Sequence, residues 1–211
     1  MTQALLEQPQ TEPRKSESLL KLHLKPAVEL TDDQFLQLCS INSDLRLERT
    51  AAGDLIVMPP TGAETGNRNS ELTRQLANWT RHDGRGAGFD SSAGFKLPNG
   101  ADRSPDGAWF SRIRLATLTK EQKQKFLPLA PDFAIELKSP GDALSDVLAK
   151  MEEYRDCGVL LGWLINPETR TVHVYRPGKE VEVLENPLEV SGEPELPGFV
   201  LDLREIWEPN L

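Results

Sequence analysis

Asp106 and Glu136 stand 30 positions apart, each inside a short group of residues with chemical potential. The first group is Ser104-Pro105-Asp106-Gly107. The second is Glu136-Leu137-Lys138, at the end of the apolar run Phe133-Ala134-Ile135. Side chains alternate between the faces of a strand. Phe133, Ile135 and Leu137 therefore share one face, while Asp132, Ala134, Glu136 and Lys138 share the other. Glu136 and Lys138 are expected to project side by side, and a neighbouring strand bearing Asp106 would bring its carboxylate to them. Two carboxylates and a backbone carbonyl make a hard oxygen site suited to Mg2+ or Mn2+. A lysine beside them can orient or deprotonate a water, or steady a phosphoryl oxygen.

Spacing alone leaves a plainer account open. Glu-x-Lys recurs at Glu121-Gln122-Lys123, in a polar stretch that reads as a solvated face. The copy at Glu136 interrupts a buried strand, where two charges are costly unless paired or bound to metal. A Glu136–Lys138 pair on an exposed sheet face weighs equally with a site. A third carboxylate, Glu64, lies in Pro59-Pro60-Thr61-Gly62-Ala63-Glu64-Thr65-Gly66 at a helix start. The helix dipole favours a glutamate there, and the sharper reading is an additional metal or water ligand. His23, His82 and His173 have no ligand spacing. Gly84, Gly86 and Gly88 alternate in one stretch, but a phosphate fingerprint needs a strand before it and a helix after, so a flexible loop is expected at 82–88.

The elements that must position these residues can be read along the chain. Thr31 with Gln34 forms a capping box ahead of a helix. A hairpin follows over 45–58, its charged Arg46 and Glu48 alternating with Leu45 and Leu47 on a half-buried strand. Leu72, Leu76 and Trp79 mark a helix over 65–80. Short strands are expected at 94–97 and 106–110, a helix or ordered loop at 111–125, and a buried strand at 133–137. Leu144, Val147, Leu148, Met151 and Tyr154 trace an amphipathic helix closed by Gly158. Strands at 160–165, 171–175 and 180–184 precede a tail anchored by Phe199, Leu201, Leu203 and Trp207. This order predicts one α/β or α+β domain over 29–211. Residues 1–28, rich in Gln, Glu, Pro, Ser and Lys, are expected to form a flexible leader.

Composition excludes several classes. The longest apolar stretch, 159–165, is too short to span a bilayer. Cys39 and Cys157 fit neither a zinc site nor a disulfide scaffold, and no secretory segment opens the chain, so a reducing cytoplasm is the default. The net charge of -9 argues against a protein that holds nucleic acid by a basic surface alone. Metal-binding carboxylates and a local basic groove would reconcile that balance with phosphate chemistry.

Five segments carry a resemblance. Pro-Pro-Thr-Gly-x-Glu-x-Gly at 59–66, Asp-Ser-Ser-x-Gly-Phe-x-Leu-Pro at 90–98, Ser-Pro-Asp at 104–106, Pro-Asp-Phe-Ala-Ile-Glu-Leu-Lys-Ser-Pro at 131–140 and Lys-Met-Glu-Glu-Tyr at 150–154 occur in one order. Together they resemble the Uma-two family of bacterial restriction endonucleases, within the PD-(D/E)XK nuclease superfamily, from about residue 28 to 208. The resemblance implies a restriction-endonuclease-like core, a mixed β-sheet flanked by helices. It also implies a homodimer and a nuclease site acting on DNA with Mg2+ or Mn2+. Matched by position, Asp106 is the Asp of the PD motif, Glu136 and Lys138 are its (D/E)XK part, and Glu64 is the acid of the first core helix. Asp106 and Glu136 are the metal ligands so implied. Many relatives lack the lysine, and its presence here favours a competent site. Lys150 and Tyr154 fall on the following helix, where facing the same cleft competes with a surface lysine and a core tyrosine; neither is counted as catalytic. Two other functions stand beside the nuclease: an inactive nuclease fold used as an interaction module, and a hydrolase of another phosphate ester.

Overall fold

Strand pairing sets the architecture of the computed structural model, which describes residues 20–211. In chain order the elements are β1 (Leu20–Leu22), α1 (Asp32–Ile41), β2 (Arg46–Arg49), β3 (Leu55–Met58), α2 (Ala63–Asp83), β4 (Gly86–Asp90), β5 (Phe95–Lys96), β6 (Asp102–Arg103), β7 (Gly107–Ser111), α3 (Arg112–Leu115), β8 (Phe133–Leu137), α4 (Leu144–Asp156), β9 (Leu161–Asn166), β10 (Thr171–Tyr175), β11 (Glu182–Glu185), β12 (Glu189–Ser191), β13 (Val200–Asp202) and α5 (Arg204–Trp207). Six strands form the main sheet in the order β11-β10-β9-β8-β7-β4, and five form a smaller one in the order β1-β3-β2-β6-β5. Strands β12 and β13 pair with each other. This is the mixed α+β arrangement that the element order predicts.

Within the main sheet β8 and β9 run parallel, with Ile135 opposite Trp163, and α4 makes the crossover between them. Parallel strands need such a crossover, and helices on both faces leave the strands buried throughout. All five residues of β8 and all six of β9 are accordingly buried. On one face α4 packs Val147, Met151 and Tyr154 with Ala134, Leu164 and Tyr175. On the other, Leu72 and Leu76 of α2 join Phe133, Ile135, Trp163 and the tail residues Phe199, Leu201, Leu203 and Ile206. Trp163 and Phe199 stack at 5.6 Å, and Phe133 meets Trp163 edge-on at 4.8 Å.

The expected elements recur with shifted bounds, and three differences are informative. Leu20, Lys21 and Leu22 pair with Val57, Ile56 and Leu55, so the expected leader is part of the small sheet from residue 20; residues 1–19 lie outside the described residues. The expected loop at 82–88 is instead a helix end and a strand. Gly84 caps α2 in the left-handed conformation, φ 71°, and β4 begins two residues later. Finally, the charged side of β2 is not solvated: Glu48 is 2% exposed and Arg46 is partly buried. Capping of α1 follows the sequence, with Thr31 and Gln34 satisfying each other's backbone N–H groups.

Gly86 shows why a glycine-rich run can be a strand. A Cβ there would lie 2.1 Å from the indole ring of Trp109, which crosses from β7 over the bare backbone. Gly86→Ala therefore forces Trp109 out of its packing and is expected to lower stability by about 1–3 kcal/mol, as overpacking typically does. Urea denaturation checks this, and an unchanged midpoint would refute the contact.

Candidate active site

The Ser104–Asp106 segment is the link by which the chain leaves β6 of the small sheet and enters β7 of the large one. Asp106 sits at the end of that link, and β7 lies antiparallel to β8 with Gly107 opposite Ile135. The geometry brings the Asp106 carboxylate to the Leu137 backbone N–H, which donates to its Oδ2 at 2.9 Å. The Asn69 amide of α2 reaches its other oxygen at 3.3 Å, and Arg46 stands 3.8 Å away. The Glu136 side chain leaves the adjoining strand on the α4 side. Its Oε1 accepts from the Tyr154 hydroxyl at 2.8 Å and is 2.8 Å from the Lys150 ammonium.

Both carboxylates line a pocket of about 720 Å³ between the two sheets. Arg46, Glu48, Ile56 and Met58 of the hairpin form one wall, the Pro59–Thr65 segment another, and Lys150 and Glu153 of α4 a third. Seven acidic side chains and four basic ones face it. Glu136 is buried at 7% exposure, which excludes the pair on an open sheet face. Burial, reinforced by the Asp106 and Glu48 carboxylates, pushes its carboxyl up to about 7 against the pull of Lys150. Burial likewise raises Asp106, opposed by the Leu137 N–H and Arg46.

A third buried acid was not among the sequence candidates. Glu48 accepts from the Ser104 N–H at 2.9 Å, from Lys150 at 2.9 Å and from Arg103 at 3.0 Å. Burial alone would raise it, but Lys150 and Arg103 outweigh that and hold it below the ordinary carboxylate range. Arg103 also donates to Glu153 at 2.6 Å, so one network ties β2, β6, β8 and α4 together behind the pocket. Nothing local marks Glu48 or Arg103: each looks like a charge on the solvated side of a strand until its partner, 55 positions away, is known. Lys150 and Tyr154 do carry a sequence signal, since residues four apart share a helix face.

The remaining expectations part company. Glu64 stands in the first turn of α2 on the pocket wall, largely exposed, with Arg68 donating to it at 2.6 Å. Arg68 in turn donates to the Ile206 carbonyl at 2.7 Å, which fixes that end of α2 to the tail. Lys138 has its ammonium paired away from the two acids. It follows the last residue of β8, and its ammonium donates to Glu168 at 2.7 Å and to the Ser139 carbonyl at 3.2 Å. Its backbone N–H still bonds the Ile165 carbonyl of β9 at 2.9 Å, so the reach of the long side chain to Glu168 sets where its ammonium lies. Glu136 finds Lys150 instead.

Among the described residues no three His, Cys, Asp or Glu side chains are grouped for a metal ion. Asp106 and Glu136 nonetheless suit one. They are hard oxygen donors, both buried, and near enough for the charge of Asp106 to raise Glu136. Mg2+ is commonly held by one or two carboxylates and keeps several waters, so two protein donors suffice. Cys39 and Cys157 are free thiols, and no described helix is long and apolar enough to cross a membrane.

Comparison with known proteins bears on the fold and the family. The family profile named Uma2 and described as "Putative restriction endonuclease" matches residues 32–204. A solved structure from Anabaena variabilis ATCC 29413, described as a "putative nuclease belonging to DUF820", superposes with a TM-score of 0.70 at 22% identity, covering 84% of this chain and 97% of that one. No curated protein matches the chain.

The network behind the pocket can be tested directly. Glu48→Ala leaves Arg103 and Lys150 each short of a buried partner and is expected to cost about 3–5 kcal/mol, as when one member of a buried ion pair is removed. The double variant Glu48→Ala, Arg103→Met should lose less than the sum of the two single losses. Urea midpoints measure both, and strict additivity would show that the pair does not interact.

Proposed function

The chain belongs to the Uma2 family, and on that premise we propose that it is a nuclease, a divalent-metal-dependent phosphodiesterase that hydrolyses DNA. One observation carries this reading: Asp106, from the link into β7, and Glu136, from the adjacent β8, are both buried and line the wall of one pocket. Each already has partners within the protein, and hard oxygen donors on the wall of a common pocket are what Mg2+ or Mn2+ takes.

In this reading Asp106 and Glu136 hold Mg2+ or Mn2+. When bound, the ion polarises the scissile phosphate and stabilises the charge that develops on it. The Leu137 N–H and the Asn69 amide fix the Asp106 carboxylate, so its orientation is set before substrate arrives. Tyr154 does the same for Glu136 from α4. Glu64, on the opposite wall, assists by accepting a hydrogen bond from water entering the mouth. Arg46, partly exposed on the hairpin, offers a cation to the phosphate beside the acids. Assembly as a homodimer belongs to the same reading, and sedimentation equilibrium is expected to return twice the chain mass.

The acidic surplus of the pocket and the net charge of -9 favour a second reading, hydrolysis of a smaller phosphate ester at the same carboxylates. Salt separates the two. Duplex DNA held by several phosphate contacts loses affinity by orders of magnitude between 50 mM and 200 mM salt, and a small ester has no such slope.

Metal and mutation test the site together. Wild-type protein is expected to nick plasmid DNA with Mg2+ or Mn2+, to stop when the metal is chelated, and to lose activity in Asp106→Asn. Saturating Mn2+ should raise the melting temperature of the wild type, since a ligand at 100 times its dissociation constant adds about 2.7 kcal/mol. Asp106→Asn should show no such rise. Activity that survives in Asp106→Asn would overturn the assignment.

A further inference from the structure

Two lysines lie near Glu136, and the structure gives them different surroundings. Lys138 is 6% exposed, its ammonium held by Glu168 and by the Ser139 carbonyl, and it is not among the residues lining the pocket. Lys150 does line the pocket. Its ammonium lies 2.8 Å from Glu136 and 2.9 Å from Glu48. An ammonium has three N–H donors. The two carboxylates account for two of them and leave one for a ligand in the pocket. Helix α4 places Lys150 one turn before Tyr154, so both reach the same Glu136 oxygen from a rigid element. A side chain braced by two buried acids is confined to one position, the condition for a group that must meet substrate without further ordering.

We propose that Lys150, and not Lys138, is the lysine that donates to a phosphoryl oxygen of the substrate in this pocket. The inference rests on the phosphodiesterase reading above and names a cationic contact beside Arg46. Lys138 is instead a clamp that joins the end of β8 to the turn after β9, through Glu168. The lysine of the Glu136-Leu137-Lys138 motif and the lysine of the site are then different residues. The network gives the Lys150 ammonium two anionic partners in a buried place.

The test uses inorganic phosphate as probe, titrated calorimetrically with Mg2+ present, alongside plasmid cleavage. Lys150→Met is expected to weaken phosphate binding at least tenfold, and cleavage by about 10²-fold, as for loss of one electrostatic donor. Lys138→Met should lose at least ten times less cleavage than Lys150→Met. Because Lys150→Met strands two buried acids, Glu48→Gln with Lys150→Met is compared with Glu48→Gln alone, a pair that keeps the buried charge lower. A second measurement needs no variant: in the wild type, phosphate should protect Lys150 but not Lys138 from acetylation by acetic anhydride, read by mass spectrometry. Equal protection of both lysines, protection of neither, or a Lys138→Met defect as large as that of Lys150→Met would overturn the proposal. Absence of phosphate binding by the wild type would also overturn it. Lys150-dependent phosphate binding without DNA cleavage would keep the Lys150 assignment and remove the nuclease reading.

Discussion

A carboxylate in a strand covered on both faces has to be compensated from within the protein, and the compensation of Glu136 organises the pocket. Strand β8 is buried because it runs parallel to β9, and the crossover that parallel pairing demands brings α4 across the same face. That helix carries apolar residues into the sheet at Val147 and Met151, and polar ones to Glu136 at Lys150 and Tyr154. One crossover thus both buries the acid and supplies its partners. Lys150 then needs Glu48 as well, which draws β2 of the small sheet towards the large one. Arg103 and Glu153 close the set.

The second consequence concerns Asp106. The two sheets are joined covalently where β6 passes into β7, and Asp106 lies in that joint. A loop at such a position could move relative to either sheet. Here its carboxylate accepts from the backbone of Leu137 on β8, so the joint is fixed to the strand that bears Glu136. Alignment of the two acids therefore depends on backbone pairing more than on side-chain packing, and the pleat of the sheet sets it. Glu64 contrasts with this. Its position follows from the start of α2 and from Arg68, and it stays on the exposed rim.

How much of this was legible in the sequence follows from the range of each interaction. The apolar run at 133–137, the i,i+3,i+4 pattern of α4 and the Thr31–Gln34 cap are local, and each became the element expected of it. The order of the five motifs carried the fold, which the superposition on the Anabaena variabilis structure supports. Pairs distant in sequence were hidden. Glu48 with Arg103 and Arg49 with Asp102 span 55 and 53 positions, and β2 read by itself gives only alternating charge. The partner of Lys138 was hidden in the same way, since Glu168 lies 30 positions further on, in the turn after β9. The glycines at 84–88 resembled a loop because their necessity comes from the Trp109 ring, which no local pattern contains.

The tail has a bearing on how the protein is made. Phe199, Leu201, Leu203 and Ile206 complete the apolar cluster under β8 and β9, and the Ile206 carbonyl receives the buried Arg68 of α2. A ribosome delivers these residues after every strand of the main sheet. Until they emerge from its exit tunnel, that face of the main sheet has α2 but not the tail over it, and Arg68 of α2 lacks its carbonyl partner. The two acids can thus be paired by their strands during synthesis while the cleft around them still lacks its final support. Emergence of residue 206 from the tunnel, more than closure of any single hairpin, sets the moment at which the site first exists as a finished enclosure.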